Sequence, residues 1–62
     1  MMTDDILLEI INKYNFTFAQ ITSSRREISS FCAFVTAKTK QACFHKDILD
    51  QLYRLQKEGL IS

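Results

Sequence analysis

The chain of 62 residues is long enough for one domain, and its composition is that of a folded protein. Hydrophobic residues make up 47% of it and aromatic residues 11%, with a single glycine and no proline. This composition argues against disorder and favours helices, because glycine and proline mark turns and loops. The formal net charge of +1 argues against strong sequence-independent binding to nucleic acid, which usually requires a basic surface.

The sequence contains no apolar run long enough to cross a bilayer. Its acidic start, Met1–Asp5, lacks the basic residues of a signal peptide. We therefore expect a cytoplasmic protein that does not bind membranes. In that compartment the two cysteines, Cys32 and Cys43, are expected to be reduced, and a free cysteine is usually a small buried side chain.

The first predicted helix follows Thr3 and ends near Asn15. Thr3 can cap it, and Asp4 and Asp5 place negative charge where the helix dipole favours it. Leu8 lies outside the main apolar face, so the helix is expected to be covered on more than one side. The apolar face has helical spacing and consists of Ile6, Leu7, Ile10, Ile11 and Tyr14.

Two capping boxes predict the next two helix starts. Thr17 and Gln20 open a short helix from Phe18 to about Thr22, and Ser24 and Glu27 open a longer one. On this longer helix Cys32 and Cys43 lie about three turns, or roughly 16 Å, apart, which is too far for a disulfide. The apolar stripe of the longer helix has a spacing typical of helices and consists of Ile28, Phe31, Cys32, Val35, Thr39 and Ala42.

Residues 31–44 have a second interpretation as a β-hairpin. The sequences Phe31-Cys32-Ala33 and Ala42-Cys43-Phe44 mirror each other around Lys38-Thr39-Lys40, and nearby Phe, Val and Thr residues favour strands. In a hairpin the two cysteines could sit opposite each other. We favour the helix, since the stretch lacks the Asn-Gly or Asp-Gly turn typical of tight hairpins.

The last predicted helix begins at an Asp47 cap. Gly59 suits the left-handed position of a Schellman ending, which places Leu60 beside Leu55. The apolar face consists of Ile48, Leu49, Leu52 and Leu55. Together these elements predict an all-α fold over residues 1–62, a single domain built as a small helix-turn-helix-like bundle of three to four short helices.

The chemical groups of the sequence do not indicate catalysis. Cys43 and His45 are two residues apart in a predicted loop, where a nucleophile and its base rarely converge. Two cysteines and one histidine without paired spacing make a poor zinc site, and the single glycine, Gly59, rules out a glycine-rich phosphate loop. We therefore expect no enzyme activity, no metal, no cofactor and no small-molecule substrate.

The candidate binding residues lie around the start of the long helix. Hydroxyl groups, helix-start amides and two guanidinium groups suit a phosphate or a carboxylate. Two lysines at the far end of the long helix would extend this group of binding residues if the fold brought them close to the arginines. The arginines oppose the helix dipole, which costs a little stability. Their alternative interpretation is a solvated pair. The candidate DNA-binding residues are Ser23, Ser24, Arg25, Arg26, Lys38 and Lys40.

Residues 10–28, IINKYNFTFAQITSSRREI, resemble the opening of the C-terminal DNA-binding domain of the bacterial replication initiator DnaA and its phage-borne relatives. The shared pattern is a helix ending in Tyr or Phe, an x-F-T-x-x-x-I/L element, a basic loop and a helix starting near Arg-Glu-Ile. It covers roughly the middle third of the chain. The resemblance implies that Arg25 and Arg26 reach a DNA minor groove. The family's Asp-His-Thr-Thr-like run on the recognition helix has no counterpart here.

Two functions follow from these patterns. The first is a helix-turn-helix-like protein that binds double-stranded DNA, as an accessory factor in replication or transcription. The alternative is a protein-interaction module, such as a small phage, plasmid or accessory protein, that forms a homodimer or regulates a larger partner. Exposed surplus apolar residues would mark such an interface, whereas a well-filled core would absorb them. The residues concerned are Leu8, Phe18, Phe34, Phe44, Tyr53 and Ile61.

Overall fold

The computed structural model describes residues 2–62, which contain four helices and no strand. The helices are α1 (Asp4–Lys13), α2 (Phe18–Ile21), α3 (Arg25–Thr39) and α4 (His45–Lys57). The predicted all-α bundle of short helices is confirmed, and the hairpin interpretation of residues 31–44 is wrong. None of the helices within residues 2–62 has the length and apolar content needed to span a bilayer.

Hydroxyl side chains cap the first three helices, as the sequence predicts. Each cap oxygen accepts the backbone N–H group three residues ahead, a bond that stabilises a helix by about 1 kcal/mol. The pairs, cap first, are Thr3 with Ile6 at 3.3 Å, Thr17 with Gln20 at 3.1 Å and Ser24 with Glu27 at 3.2 Å. Within residues 2–62, the Gln20 and Glu27 side chains form no return hydrogen bond to the cap residues. Only one half of each of the two predicted capping boxes is therefore present.

α1 ends at Lys13, slightly before the predicted end near Asn15. Asn15 adopts a left-handed conformation with φ of 58°. The Phe16 N–H group donates to the Ile11 carbonyl at 3.0 Å, which is the hydrogen bond of a Schellman ending. Asparagine visits this conformation more readily than most residues, so Asn15 stops the helix and directs the chain into α2.

α3 ends at Thr39, which corrects the prediction that Ala42 continues its apolar stripe. Lys40 is left-handed, with φ of 61°, and cannot extend a right-handed helix. The Thr39 hydroxyl donates to the Val35 carbonyl at 2.8 Å and accepts the Gln41 N–H group at 3.2 Å. These hydrogen bonds give partners to backbone groups at the end of α3 and at the start of the following loop.

The loop of residues 40–44 turns the chain back along α3. The Cys43 thiol lies near enough to Cys32 for Cys32 to contribute to the raised pKa of Cys43, and His45 Nε2 lies 3.4 Å from Ser29 Oγ. The expectation that a helical structure separates the cysteines by about three turns is therefore wrong. The physical reason is that the helix stops before Cys43, so the loop can bring the second thiol against the first.

α4 begins at His45, before the predicted cap at Asp47. Phe44 occupies the N-cap position, and no side chain there bonds the helix. Asp47 instead lies in the first turn, where its carboxylate still suits the positive end of the helix dipole. His45, which was predicted to lie in a loop, is the first helical residue.

The end of α4 matches the sequence prediction. Gly59 has φ of 77°, which glycine adopts at no steric cost. The Leu60 N–H group donates to the Leu55 carbonyl at 3.0 Å, and the Gly59 N–H group donates to the Gln56 carbonyl at 2.9 Å. This pair of bonds defines the predicted Schellman ending.

The core takes side chains from all four helices. The fully buried ones are Leu7, Ile21, Val35, Ile48, Leu52 and Leu55. Of the expected surplus, Ile61 is buried, and three others are half-buried against the core: Leu8, Phe18 and Phe34. Phe44 and Tyr53 remain exposed. Most of these six apolar residues therefore pack in or against the core, as the alternative of a well-filled core expects. The aromatic rings of Phe44 and Tyr53 do not.

An ion pair joins the start of α1 to α4. Arg54 donates from Nη2 to Asp4 Oδ1 at 2.6 Å and from Nη1 to Asp4 Oδ2 at 2.8 Å. Gln51 Nε2 donates to the same Asp4 Oδ1 at 3.1 Å and to the Met2 carbonyl at 3.0 Å. The Arg54 hydrogen bonds, followed by the Gln51 hydrogen bond, lower the pKa of Asp4.

Candidate nucleic-acid interface

The serines of the candidate site lie in the turn between α2 and α3. The Ser23 hydroxyl donates to the Gln20 carbonyl at 3.0 Å, so its hydrogen is already used. Ser24 Oγ only accepts, from the Glu27 N–H group. Because a hydroxyl can accept and donate at once, Ser24 keeps a hydrogen that can be given to an anion.

Arg25 and Arg26 are the first two residues of α3 and are both exposed. Neither forms an ion pair with another residue of the described chain, 2–62. Their guanidinium groups remain free to bind a phosphate with two parallel hydrogen bonds. The sequence-predicted cluster therefore exists as a surface, with Ser24, Arg25 and Arg26 available to a ligand.

A groove between the start of α3 and α4 brings a lysine and a histidine of α4 beside Arg25. Its volume is about 750 Å³. Lys46 and His45 approach it from α4, and Tyr53 lies further along that helix. We call it the basic groove and define it by Thr22, Ser24, Arg25, His45, Lys46 and Tyr53. Ile28, Leu49 and Asp50 also line it.

The first turn of α4 contacts α3 through the His45 side chain. His45 Nε2 lies 3.4 Å from Ser29 Oγ, and Ser29 follows Arg25 by one helical turn. This contact holds the first turn of α4 against the first turns of α3. Lys46, the next residue along α4, therefore faces the same groove as Arg25.

The groove residues from α4 were missed by the sequence analysis. Lys46, Leu49 and Tyr53 recur at helical spacing along one side of α4, and this signal can be found in the sequence once the helix is assigned. Their proximity to Arg25 cannot be found in the same way. It depends on the reversal at Lys40, which has no clear local signal.

Lys38 and Lys40 lie at the other end of α3. Thirteen helical steps separate Arg25 from Lys38, which is roughly 20 Å at 1.5 Å per residue. The Lys38 ammonium group lies 5.5 Å from the Tyr14 ring centroid and 5.3 Å from the Phe34 ring centroid, within cation–π range. The fold therefore does not bring these lysines round to the basic groove.

The surroundings of the Cys43 thiol disfavour its thiolate form. Burial, the neighbouring Cys32 and the nearby Asp47 carboxylate raise its pKa to about 12. Nucleophilic attack and metal binding both require the thiolate. Within residues 2–62, no three or more His, Cys, Asp or Glu side chains form a group that could hold a metal ion.

No family model matches the chain, and comparisons with curated proteins and with solved structures find no match either. The resemblance of residues 10–28 to the DnaA domain therefore stays a prediction.

Proposed function

We propose that the protein is a small, non-catalytic, helix-turn-helix-like DNA-binding protein, acting as an accessory or regulatory factor in replication or transcription. The observation that carries this proposal is that Arg25 of α3 and Lys46 of α4 line one groove. Cationic side chains from two helices that meet in one groove are suited to the phosphates of a duplex, which dominate affinity for DNA.

Other groups of the basic groove support the same ligand. Ser24 keeps a hydroxyl hydrogen for a phosphate oxygen. The α4 start has no side-chain cap, so its first backbone N–H groups can also donate to an anion. Arg26 lies beside Arg25 in the first turn of α3, where it can reach a neighbouring phosphate.

The modest net charge of +1 sets the expected strength of binding. Each phosphate contact contributes a slope of about 0.9 to the dependence of log affinity on log salt. Contacts from Arg25, Arg26 and Lys46 therefore predict a loss of affinity of about fortyfold between roughly 50 and 200 mM salt. Binding is expected to be weak, and detectable mainly at low salt.

Fluorescence anisotropy of a labelled duplex at low salt tests the proposal. We expect Arg25→Ala/Arg26→Ala to weaken binding by at least about tenfold, since two phosphate contacts are lost. The matched control is Lys13→Ala/Lys57→Ala, which removes the same charge from the C-terminal turns of α1 and α4. No binding by the wild type, or an equal loss in the control, would contradict a specific basic groove.

A protein-interaction module is the second candidate, and the exposed apolar side chains favour it. Phe44 is 66% exposed, Tyr53 57% and Leu60 50%. The partner is a larger protein or a second copy of the chain. Sedimentation over a dilution series separates these partners, because only self-association makes the mass depend on protein concentration.

We propose the cytoplasm as the location. A DNA-binding role requires a compartment that contains DNA. Cys32 and Cys43 are both free thiols, and adjacent thiols persist unoxidised in a reducing compartment. The two free thiols support a cytoplasmic protein.

A further inference from the structure

A second groove lies beside the basic groove, on the adjacent face of α4. Its volume is about 670 Å³. Its apolar part consists of Met2, Ala42, Cys43, Phe44 and Ile48, and we call it the apolar groove. Asp50 lines both grooves, so the two surfaces share a border along α4.

Phe44 gives the apolar groove an exposed aromatic ring. The side chain is 66% exposed, whereas the neighbouring Ile48 is 2% exposed. An exposed phenylalanine beside an apolar floor is the kind of surface that marks a protein interaction site. Large aromatic residues also supply much of the binding energy at interfaces.

The rim of the apolar groove carries two carboxylates that form no ion pair in the described part of the chain. Asp47 and Asp50 form no ion pair within the described residues 2–62. The third rim carboxylate, Asp4, is paired with Arg54. The groove is therefore locally acidic, although the chain as a whole has a net charge of +1.

We propose that the apolar groove binds a basic amphipathic segment of a partner protein, with an apolar side chain against Phe44 and Lys or Arg residues against Asp47 and Asp50. Charge complementarity selects this occupant. A second copy bound through the same groove would bring the like charges of Asp47 and Asp50 together. The inference rests on the second candidate function and is independent of DNA binding.

A pair of synthetic peptides tests the chemistry of the occupant. The probe is a fluorescein-labelled helical peptide of Leu and Lys, with Leu at helical i, i+3, i+4 and i+7 spacing. The matched control peptide has Glu in place of Lys. We expect saturable binding of the basic peptide and at least about tenfold weaker binding of the acidic one. Equal binding of both peptides, or no binding of the basic peptide at about 1 mM, would overturn the proposal.

Variants of the groove locate the binding. Phe44→Ala and Asp47→Asn/Asp50→Asn are each expected to weaken binding of the basic peptide by about tenfold, or about 1.4 kcal/mol. The asparagines keep the side-chain shape, so this variant serves if Phe44→Ala fails to fold. The matched controls, Leu60→Ala and Asp5→Asn/Glu9→Gln, should bind normally. Unchanged binding in both groove variants, or an equal loss in the controls, would place the peptide elsewhere and overturn the proposal.

Two further measurements separate this inference from its competitors. Arg25→Ala/Lys46→Ala should keep peptide binding, and the Phe44→Ala variant should keep duplex binding. If the basic peptide does not bind while the duplex still binds, only this inference is overturned. A wild-type mass that doubles at high concentration, and does not double in Phe44→Ala, would assign the groove to a second copy of the chain.

Discussion

Asp4 is the side chain whose environment gives the fold a dependence on pH. Its hydrogen bonds from Arg54 and Gln51 lower its pKa in the folded state, while the unfolded chain keeps an ordinary value near about 3.9. A carboxyl group with a lowered folded-state pKa stabilises the fold above its unfolded pKa. This stabilisation is lost as the pH falls through the folded-state value.

We expect Asp4→Asn to remove part of the acid sensitivity of the fold. Urea unfolding from about pH 7 to about pH 2 should show a smaller stability at neutral pH and a shallower decline in acid than the wild type. Asp5→Asn, in the same helical turn, is the control and should follow the wild-type profile. An Asp4→Asn profile parallel to that of the wild type would contradict the role of the ion pair.

Lys40 is a second residue whose local environment makes a prediction. Its φ of 61° costs a residue other than glycine roughly 1–2 kcal/mol. Lys40→Gly is therefore expected to raise the free energy of unfolding by about 1 kcal/mol, reduced by the entropy that glycine adds to the unfolded chain. Urea denaturation measures this change.

A substitution at Lys38 is the matched control for Lys40. Lys38→Gly makes the same chemical change within α3, where glycine destabilises a helix by about 1 kcal/mol and the cation–π contacts of Lys38 are also lost. The two variants should therefore shift stability in opposite directions. Destabilisation by both would show that the Lys40 side chain contributes more than its backbone conformation costs.

At the scale of the helices, local chemistry predicts most boundaries. The Thr3, Thr17 and Ser24 caps and the Gly59 ending depend on bonds within a few residues, so the sequence alone locates them. The end of α3 and the start of α4 do not follow local rules. Lys40 and Phe44 occupy positions that usually favour glycine and a short polar residue.

The unusual N-cap of α4 is expected to lower the stability of the fold. Phe44 has the extended backbone of an N-cap but offers no side-chain acceptor. Phe44→Ser is therefore expected to stabilise the protein by about 0.5–2 kcal/mol, while it removes the ring from the apolar groove. Such a local conflict is typical of functional positions.

Thermal and urea unfolding of Phe44→Ser and Phe44→Ala separate the two contributions of this residue. The alanine variant removes the ring without adding a cap, so its stability should stay close to that of the wild type. If the serine variant is no more stable than the alanine variant, the start of α4 gains nothing from a hydroxyl cap. That result would contradict a functional role for the Phe44 ring.

At the scale of the whole molecule, the sequence predicts the fold class but only half of the candidate interface. Arg25 and Arg26 follow from a basic turn after a capping box. Lys46 and Tyr53 join Arg25 only because the loop of residues 40–44 returns along α3. Contacts between residues so far apart in sequence depend on tertiary packing, which periodicity and capping signals do not encode.

The same loop brings the two candidate functions together on α4. One face of the helix contributes Lys46 to the basic groove, and the adjacent face contributes Asp47 to the apolar groove. A duplex and a basic protein segment could therefore bind at once on neighbouring surfaces.

DNA binding by the basic groove is tested by the salt dependence of duplex binding, measured by anisotropy for the wild type, Arg25→Ala and Lys46→Ala. Arg25 and Lys46 come from different helices, and both are proposed to contact phosphates of one duplex. Each substitution should therefore reduce the slope of log affinity against log salt by about 0.9, while Lys57→Ala leaves it unchanged. A slope that Lys46→Ala does not alter, or a wild type that does not bind at low salt, would contradict the account.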